Sequence, residues 1–131
     1  MEREILFRGK RVDNGEWAYG FYCEAEMFGH AGTEYFIIEY SCDGSQYRVE
    51  PATVGQYTGL TDKHDVKIFE GDIMGFDSYG SHCQGIVTVI GGNFCILCGK
   101  VAGPYVDRAL ECLKATLIGN VHDNPEFLEV M

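Results

Sequence analysis

Six cysteines, four histidines and twenty acidic side chains are the groups in this sequence that could do chemistry. Cys95-Ile96-Leu97-Cys98 has the C-x₂-C spacing of a zinc half-site. No second half-site of similar spacing exists; the available partners are His82, Cys83 and Cys112. The pattern around the pair, Asn93 to Cys98, also reads as a buried strand. On a strand, positions three apart point to opposite faces, which opposes chelation by Cys95 and Cys98. Free cysteine is among the most buried residue types. Core thiols are therefore the expectation for both, with a metal site as the weak alternative. An even cysteine count suggests a disulfide framework only in a secreted chain. No long apolar stretch follows Met1-Glu2-Arg3-Glu4, so a secretory signal is not expected and the thiols are expected to be reduced.

Acid–base groups are scattered. His30, His64, His82 and His122 fall in expected turns or strand ends. His82 and Cys83 are sequence neighbours, so on a strand they face apart and cannot form a dyad directly. His64 lies between Asp62-Lys63 and Asp65, the composition of a solvated hairpin tip. A small hydrolase built from Asp62, His64 and Asp72 is the enzymatic alternative, since general acid–base work needs only a few converging groups. No Walker A, G-x-S-x-G or H-E-x-x-H pattern occurs. The glycines punctuate strands, and none precedes a helix in a phosphate-cradling loop. The expectation is a protein with no catalytic residue and no cofactor.

The elements that must position these groups are mostly strands. The chain has 131 residues, enough for one domain or two small subdomains. Its 17 glycines are about twice the usual share, which suits many turns. Ile5–Val12 and Glu16–Glu24 form a hairpin across Asp13-Asn14-Gly15, because Asn-Gly suits a type I′ turn. Trp17, Tyr19 and Phe21 alternate and should share one face. Residues 29–32 read as a loop. Thr33–Tyr40 and Tyr47–Val49 pair across a turn at Asp43-Gly44. Pro51 heads a short helix or turn, and Gly55 to Gly59 reads as a tight crossover. Short apolar runs at 68–76, 86–90 and 94–97, with glycines between them, suggest a small barrel or roll. Pro104–Leu113 is the one helix candidate, with Val106, Ala109, Leu110 and Leu113 on one face. Thr116–Val121 closes the set. The fold class expected is mainly β: an N-terminal hairpin subdomain with its crossover, residues 1–62, then a C-terminal β-barrel or roll with one helix, residues 63–131.

Charge narrows the partners. The net charge is −10. Residues 21–79 hold eleven acidic and three basic side chains, and so most of the excess. The only basic cluster is Arg8, Lys10 and Arg11, diluted by nearby acids. Direct binding to DNA or RNA needs a basic footprint, which this chain lacks. A basic protein partner is the expected complement of the acidic segment. No apolar run approaches the roughly 18 residues of a membrane helix, so a soluble intracellular protein with no membrane contact is expected.

Four segments, in order, resemble the YopX family of phage and prophage proteins. They are Ile5-Leu6-Phe7-Arg8-Gly9-Lys10 with Gly15-Glu16-Trp17 and Tyr19-Gly20; Thr53-Val54-Gly55-Gln56-Tyr57-Thr58-Gly59-Leu60 with Asp62; Ile68-Phe69-Glu70-Gly71-Asp72-Ile73; and Ile118-Gly119-Asn120-Val121-His122-Asp123-Asn124-Pro125-Glu126. They span nearly the whole chain. Departures lie between them, chiefly at 25–48 and 75–113, where most of the cysteines fall. The resemblance implies a protein of a phage or other mobile element in the cytoplasm of a bacterial host. It implies an SH3-like barrel for the C-terminal part. It brings no enzymatic activity, because the family's biochemical role is unassigned.

The candidate binding residues are Trp17, Gln56, Tyr57, Asp62, Glu70 and Asp72. Each also has a structural reading: Tyr57 as a plug between glycines, Asp72 as an Asx-type acceptor after Gly71, Trp17 as a core aromatic. Three functions are open: a non-enzymatic module binding an unknown protein, a nucleic-acid-related regulator or acidic DNA mimic, and the small hydrolase. Exposed strand edges also make a homo-oligomer an expectation. The thiol reading is directly testable. Protein purified without added zinc should carry almost none by elemental analysis, and about one zinc per chain would overturn the core-thiol assignment.

Overall fold

The structure is a computed structural model that describes residues 4–26, 32–39 and 44–126. His30, Cys42, Asp43 and most of the loop expected at 29–32 lie outside the described residues. The chain divides into two compact units, Met1–Tyr57 and Thr58–Met131. The division falls inside strand β5, where the sequence reading placed it after Asp62.

In the first unit the strands are β1 (Phe7–Lys10), β2 (Trp17–Glu26), β3 (Thr33–Ile38), β4 (Gln46–Arg48) and the start of β5 (Gly55–Thr61). They lie in the order β4-β3-β2-β1-β5, and the paired strands are antiparallel. Both expected strand pairings, β1 with β2 and β3 with β4, are present; the link between β3 and β4 lies mostly outside the described residues. The β1–β2 turn is not type I′, however. Only Gly15, at φ 73°, is left-handed there, and Asn14 is not. The loop instead closes through Gly15 N–H to the Arg11 carbonyl at 2.9 Å and Arg11 N–H to the Glu16 carbonyl at 2.8 Å. Pro51 heads a short 3-10 helix, Pro51–Thr53, as its fixed φ favours. The segment read as a crossover, Gly55 to Gly59, is continuous strand.

Alternation puts Ala18, Ile37 and Val49 on one face of this sheet, where they are buried with Phe7, Tyr22, Tyr35 and Tyr47 packed around them. Tyr22 and Tyr35 stack with ring planes 1° apart. These rings add large apolar area to a small core.

In the second unit, the later half of β5 pairs with β6 (Lys67–Phe69). The Thr58 hydroxyl donates to the Ile68 carbonyl at 2.8 Å. Then follow β7 (Asp72–Ser78), β8 (Ser81–Ile90), β9 (Asn93–Cys98), β10 (Val101–Tyr105), helix α1 (Val106–Cys112) and β11 (Thr116–Asn120). Their sheet runs β10-β9-β8-β7-β11. Ile68, Met74, Phe76, Val87 and Ile96 form its core, and α1 adds Val106 and Ala109.

Two expectations need correction here. Neither sheet closes into a barrel: β10 and β11 remain edges of the second sheet, and the buried side chains of α1 join its core. Pro104 does not start the helix. It sits in β10, at a register shift between Ala102 and Tyr105. Proline lacks the N–H that a central strand needs, so an edge strand with a bulge accommodates it.

The β8–β9 contact depends on a missing side chain. A Cβ at Gly85 would lie 2.5 Å from Ile96 Cγ2 and 2.7 Å from the Leu97 carbonyl oxygen. Gly85→Ala should therefore destabilise the chain by about 1–3 kcal/mol through overpacking. A urea titration checks it: the midpoint should fall without a change in slope.

Candidate functional site

The face of β2 opposite the first core carries Trp17, Tyr19 and Phe21, because side chains alternate along a strand. Register adds their neighbours. Lys10 is opposite Trp17, Arg8 is opposite Tyr19, and Phe21 is opposite Ile38. Cys23 is opposite Phe36, which in turn is opposite Arg48. The Arg8 guanidinium carbon lies 4.4 Å from the Trp17 ring centroid, and Lys10 Nζ lies 5.5 Å from it. Both distances suit cation–π attraction. Arg11 sits 4.1 Å over Tyr47 and pairs with Asp13 at 2.7 Å. The single basic cluster of the sequence is thus engaged with the unit's own aromatic rings and acids.

Burial differs along the strip. Arg8 is buried and Trp17 half-buried, whereas Tyr19 and Phe21 are 45% and 54% exposed. Phe36 and Ile38 are half-buried beside them. Arg48 Nε contacts Glu34 Oε2 at 2.7 Å. The result is an aromatic strip with one open end. Sequence reasoning picked only Trp17 from it. The signal for Tyr19 and Phe21 was the same alternation, which fixes a shared face but not that face's exposure.

The other candidates do not gather into one site. Gln56 and Tyr57 are adjacent on β5 and so point to opposite faces. Gln56 is opposite Phe7 and half-buried, while Tyr57 is buried and donates its N–H to the Leu6 carbonyl at 2.8 Å. Asp62 organises the turn after β5. Its Oδ1 accepts the His64 N–H at 2.9 Å and the Val66 N–H at 3.0 Å. Asp62 also lines a groove of about 390 Å³ with Thr61, Lys63, Leu110 and Lys114. Glu70 is half-buried and precedes Gly71, left-handed at φ 93°. Asp72 is buried, and its Oδ2 accepts the Phe69 N–H at 2.7 Å. Asp62 and Asp72 thus each bond main-chain N–H groups of their own turn.

Cys95 is buried, with a long contact from its Sγ to the Asn93 carbonyl at 3.8 Å. Cys98 is half-buried and packs against the second core. Burial, then the nearby Cys83, pushes the Cys98 thiol up, which disfavours the thiolate a metal requires. Among the described residues, no group of three His, Cys, Asp or Glu side chains is placed to hold a metal ion. No described helix is long and apolar enough to cross a membrane.

A family profile described as YopX protein matches residues 6–129. The chain belongs to the YopX family. No curated protein matches it. Among solved structures, the crystal structure of protein EF1440 from Enterococcus faecalis is similar at a TM-score of 0.57. The two share 22% identity over 97% of this chain and 99% of that one. At that identity the likeness concerns the fold alone. In this YopX chain the signature segments build strands β1 and β5 and the turns after β6 and β11. Asn120, for example, accepts the His122 and Asp123 N–H groups on its Oδ1 at 3.0 and 2.9 Å.

One titration in the first unit is distinctive. The Tyr22 hydroxyl donates to Glu24 Oε1 at 2.9 Å. Burial, then that bond, pushes its pKa up to about 12. The folded chain therefore favours the neutral phenol. Its contribution to stability is complete below about pH 10, the ordinary tyrosine value. It is lost as pH rises from there towards about 12. In an ultraviolet titration, Tyr22→Phe should remove a late tyrosine step. It should also flatten the fall in stability over that window.

Proposed function

We propose that this chain is a non-enzymatic protein-interaction module of a phage or other mobile element, the setting its family resemblance suggests. The single observation that carries this reading is the half-exposed Tyr19–Phe21 end of the β2 strip. Aromatic residues and arginine are enriched at the energetic centres of protein interfaces, where large rigid rings bury area at little entropic cost. Arg8 and Lys10, held on Trp17, stiffen one end of the strip, which lowers the ordering cost of binding.

Charge selects the partner. The described residues from Phe21 to Tyr57 include Glu24, Glu26, Glu34, Glu39 and Glu50 against Arg48 alone. Such an acidic excess steers a basic protein towards this unit and repels nucleic acid. A hydrolase is disfavoured because the Asp62 and Asp72 carboxylates already serve backbone N–H groups. The DNA-mimic alternative has no observation of its own beyond the acidic excess. Self-association would use the same face against a second copy.

A double variant, Tyr19→Ser with Phe21→Ser, tests the reading. Both side chains are exposed enough that circular dichroism and thermal stability should change little. Affinity capture from host lysate should recover a basic protein with the parent chain. Recovery should weaken with salt and fall at least about tenfold with the double variant. Equal capture by both would overturn the assignment of this face. Light scattering that shows a dimer, dissolved by the double variant, would assign the face to a second copy instead.

A further inference from the structure

A second surface, independent of the aromatic strip, lies at the β10 edge of the second unit. The register shift between Ala102 and Tyr105 leaves three residue steps on β10 against two on β9. An extra residue of this kind bends the edge and interrupts pairing. Beside it lies a groove of about 370 Å³. Its walls include Ile90, Cys95, Ala102 and Pro104, with Tyr105 and Arg108 where the chain enters α1. The volume is in the range of small-molecule sites, which are mostly apolar with a few placed polar groups.

The polar group here is Arg108. It is exposed, on the first turn of α1. Among the described residues its guanidinium makes no hydrogen bond or ion pair. The adjacent acid, Asp107, turns its Oδ1 onto the Arg108 backbone N–H at 2.7 Å. This differs from the other described arginines: Arg8 lies on Trp17, Arg11 on Asp13, and Arg48 on Glu34. In a chain of net charge −10, an uncompensated cation beside an apolar groove is an attractive point for an anion. Guanidinium geometry matches a carboxylate through two parallel N–H bonds. Tyr105, 54% exposed, offers a ring face for an apolar body.

We propose that this groove binds a small carboxylic acid with an apolar body, its carboxylate on Arg108 and its body along Ala102, Pro104 and Tyr105. Pro104 argues against an added strand as the occupant, because it offers no N–H for edge pairing.

Benzoate is the probe, followed by amide chemical shifts of the labelled full chain. Saturable shifts should appear across Ala102–Arg108 and at Cys95. Benzyl alcohol, of similar shape but uncharged, should bind at least about tenfold more weakly. Arg108→Gln should weaken benzoate by a similar factor and leave benzyl alcohol unchanged. Ala102→Phe, at an exposed position, should fill the groove and weaken both. Shifts that never saturate, or that map elsewhere, would overturn the proposal. So would equal binding of the two probes, or of benzoate by Arg108→Gln.

Discussion

The second unit depends on how closely β9 can approach its neighbours at Ile96. The Ile96 side chain occupies space that a Cβ at Gly85 on β8 would need. Its carbonyl oxygen presses just as closely on Gly103 of β10. Two absent side chains, one on each flank, let β9 carry the fully buried Ile96 into the core with Val87 and Met74. Close-packed interiors tolerate little change in volume, so this pinch constrains both flanking strands. Gly103 also falls within the register shift of β10. The approach that secures the core is thus continuous with the bend beside which the groove lies.

Much of this architecture was legible because turns and alternation are local. The β1–β2 and β3–β4 pairings follow from extended runs separated by glycine and polar residues. What failed was non-local. Pro104 carries a true signal for a helix start, yet it also fits an edge strand, and only the arrangement of neighbours decides between them. Barrel closure was expected from many short strands. Closure requires the terminal strands to pair with each other, and no local pattern encodes that. The turn at Asn14-Gly15 failed more subtly: a longer loop needs one left-handed residue, and Gly15 supplies it without Asn14.

The candidate site was legible in an uneven way. Asp62, Glu70, Asp72 and Tyr57 stand in the segments that resemble the family most closely. In the structure Asp62 and Asp72 accept main-chain N–H bonds and Tyr57 is buried in a strand. A signature can therefore mark residues that specify backbone geometry. The surfaces with room for another molecule lie elsewhere. Tyr19 and Phe21 were visible as a shared face, but exposure depends on what else covers that face. The Ala102–Arg108 groove lies outside the four segments on which the resemblance was read, so those segments alone could not point to it.

Charge placement links these observations. An acidic chain with few cations uses several of them in its own fold. Arg8 and Lys10 lie against Trp17, and both engage an aromatic face that would otherwise be less well covered. Arg11 and Arg48 neutralise Asp13 and Glu34 within the first unit. These exposed pairs contribute little stability, since solvent screens them. Their larger effect is on the field outside: cations already paired do not attract a polyanion. Where a cation is left unpaired beside apolar walls, as at Arg108, the same reasoning reverses. Local attraction then acts against the repulsion of the whole chain, which admits a small single-charged acid more readily than an extended polyanion.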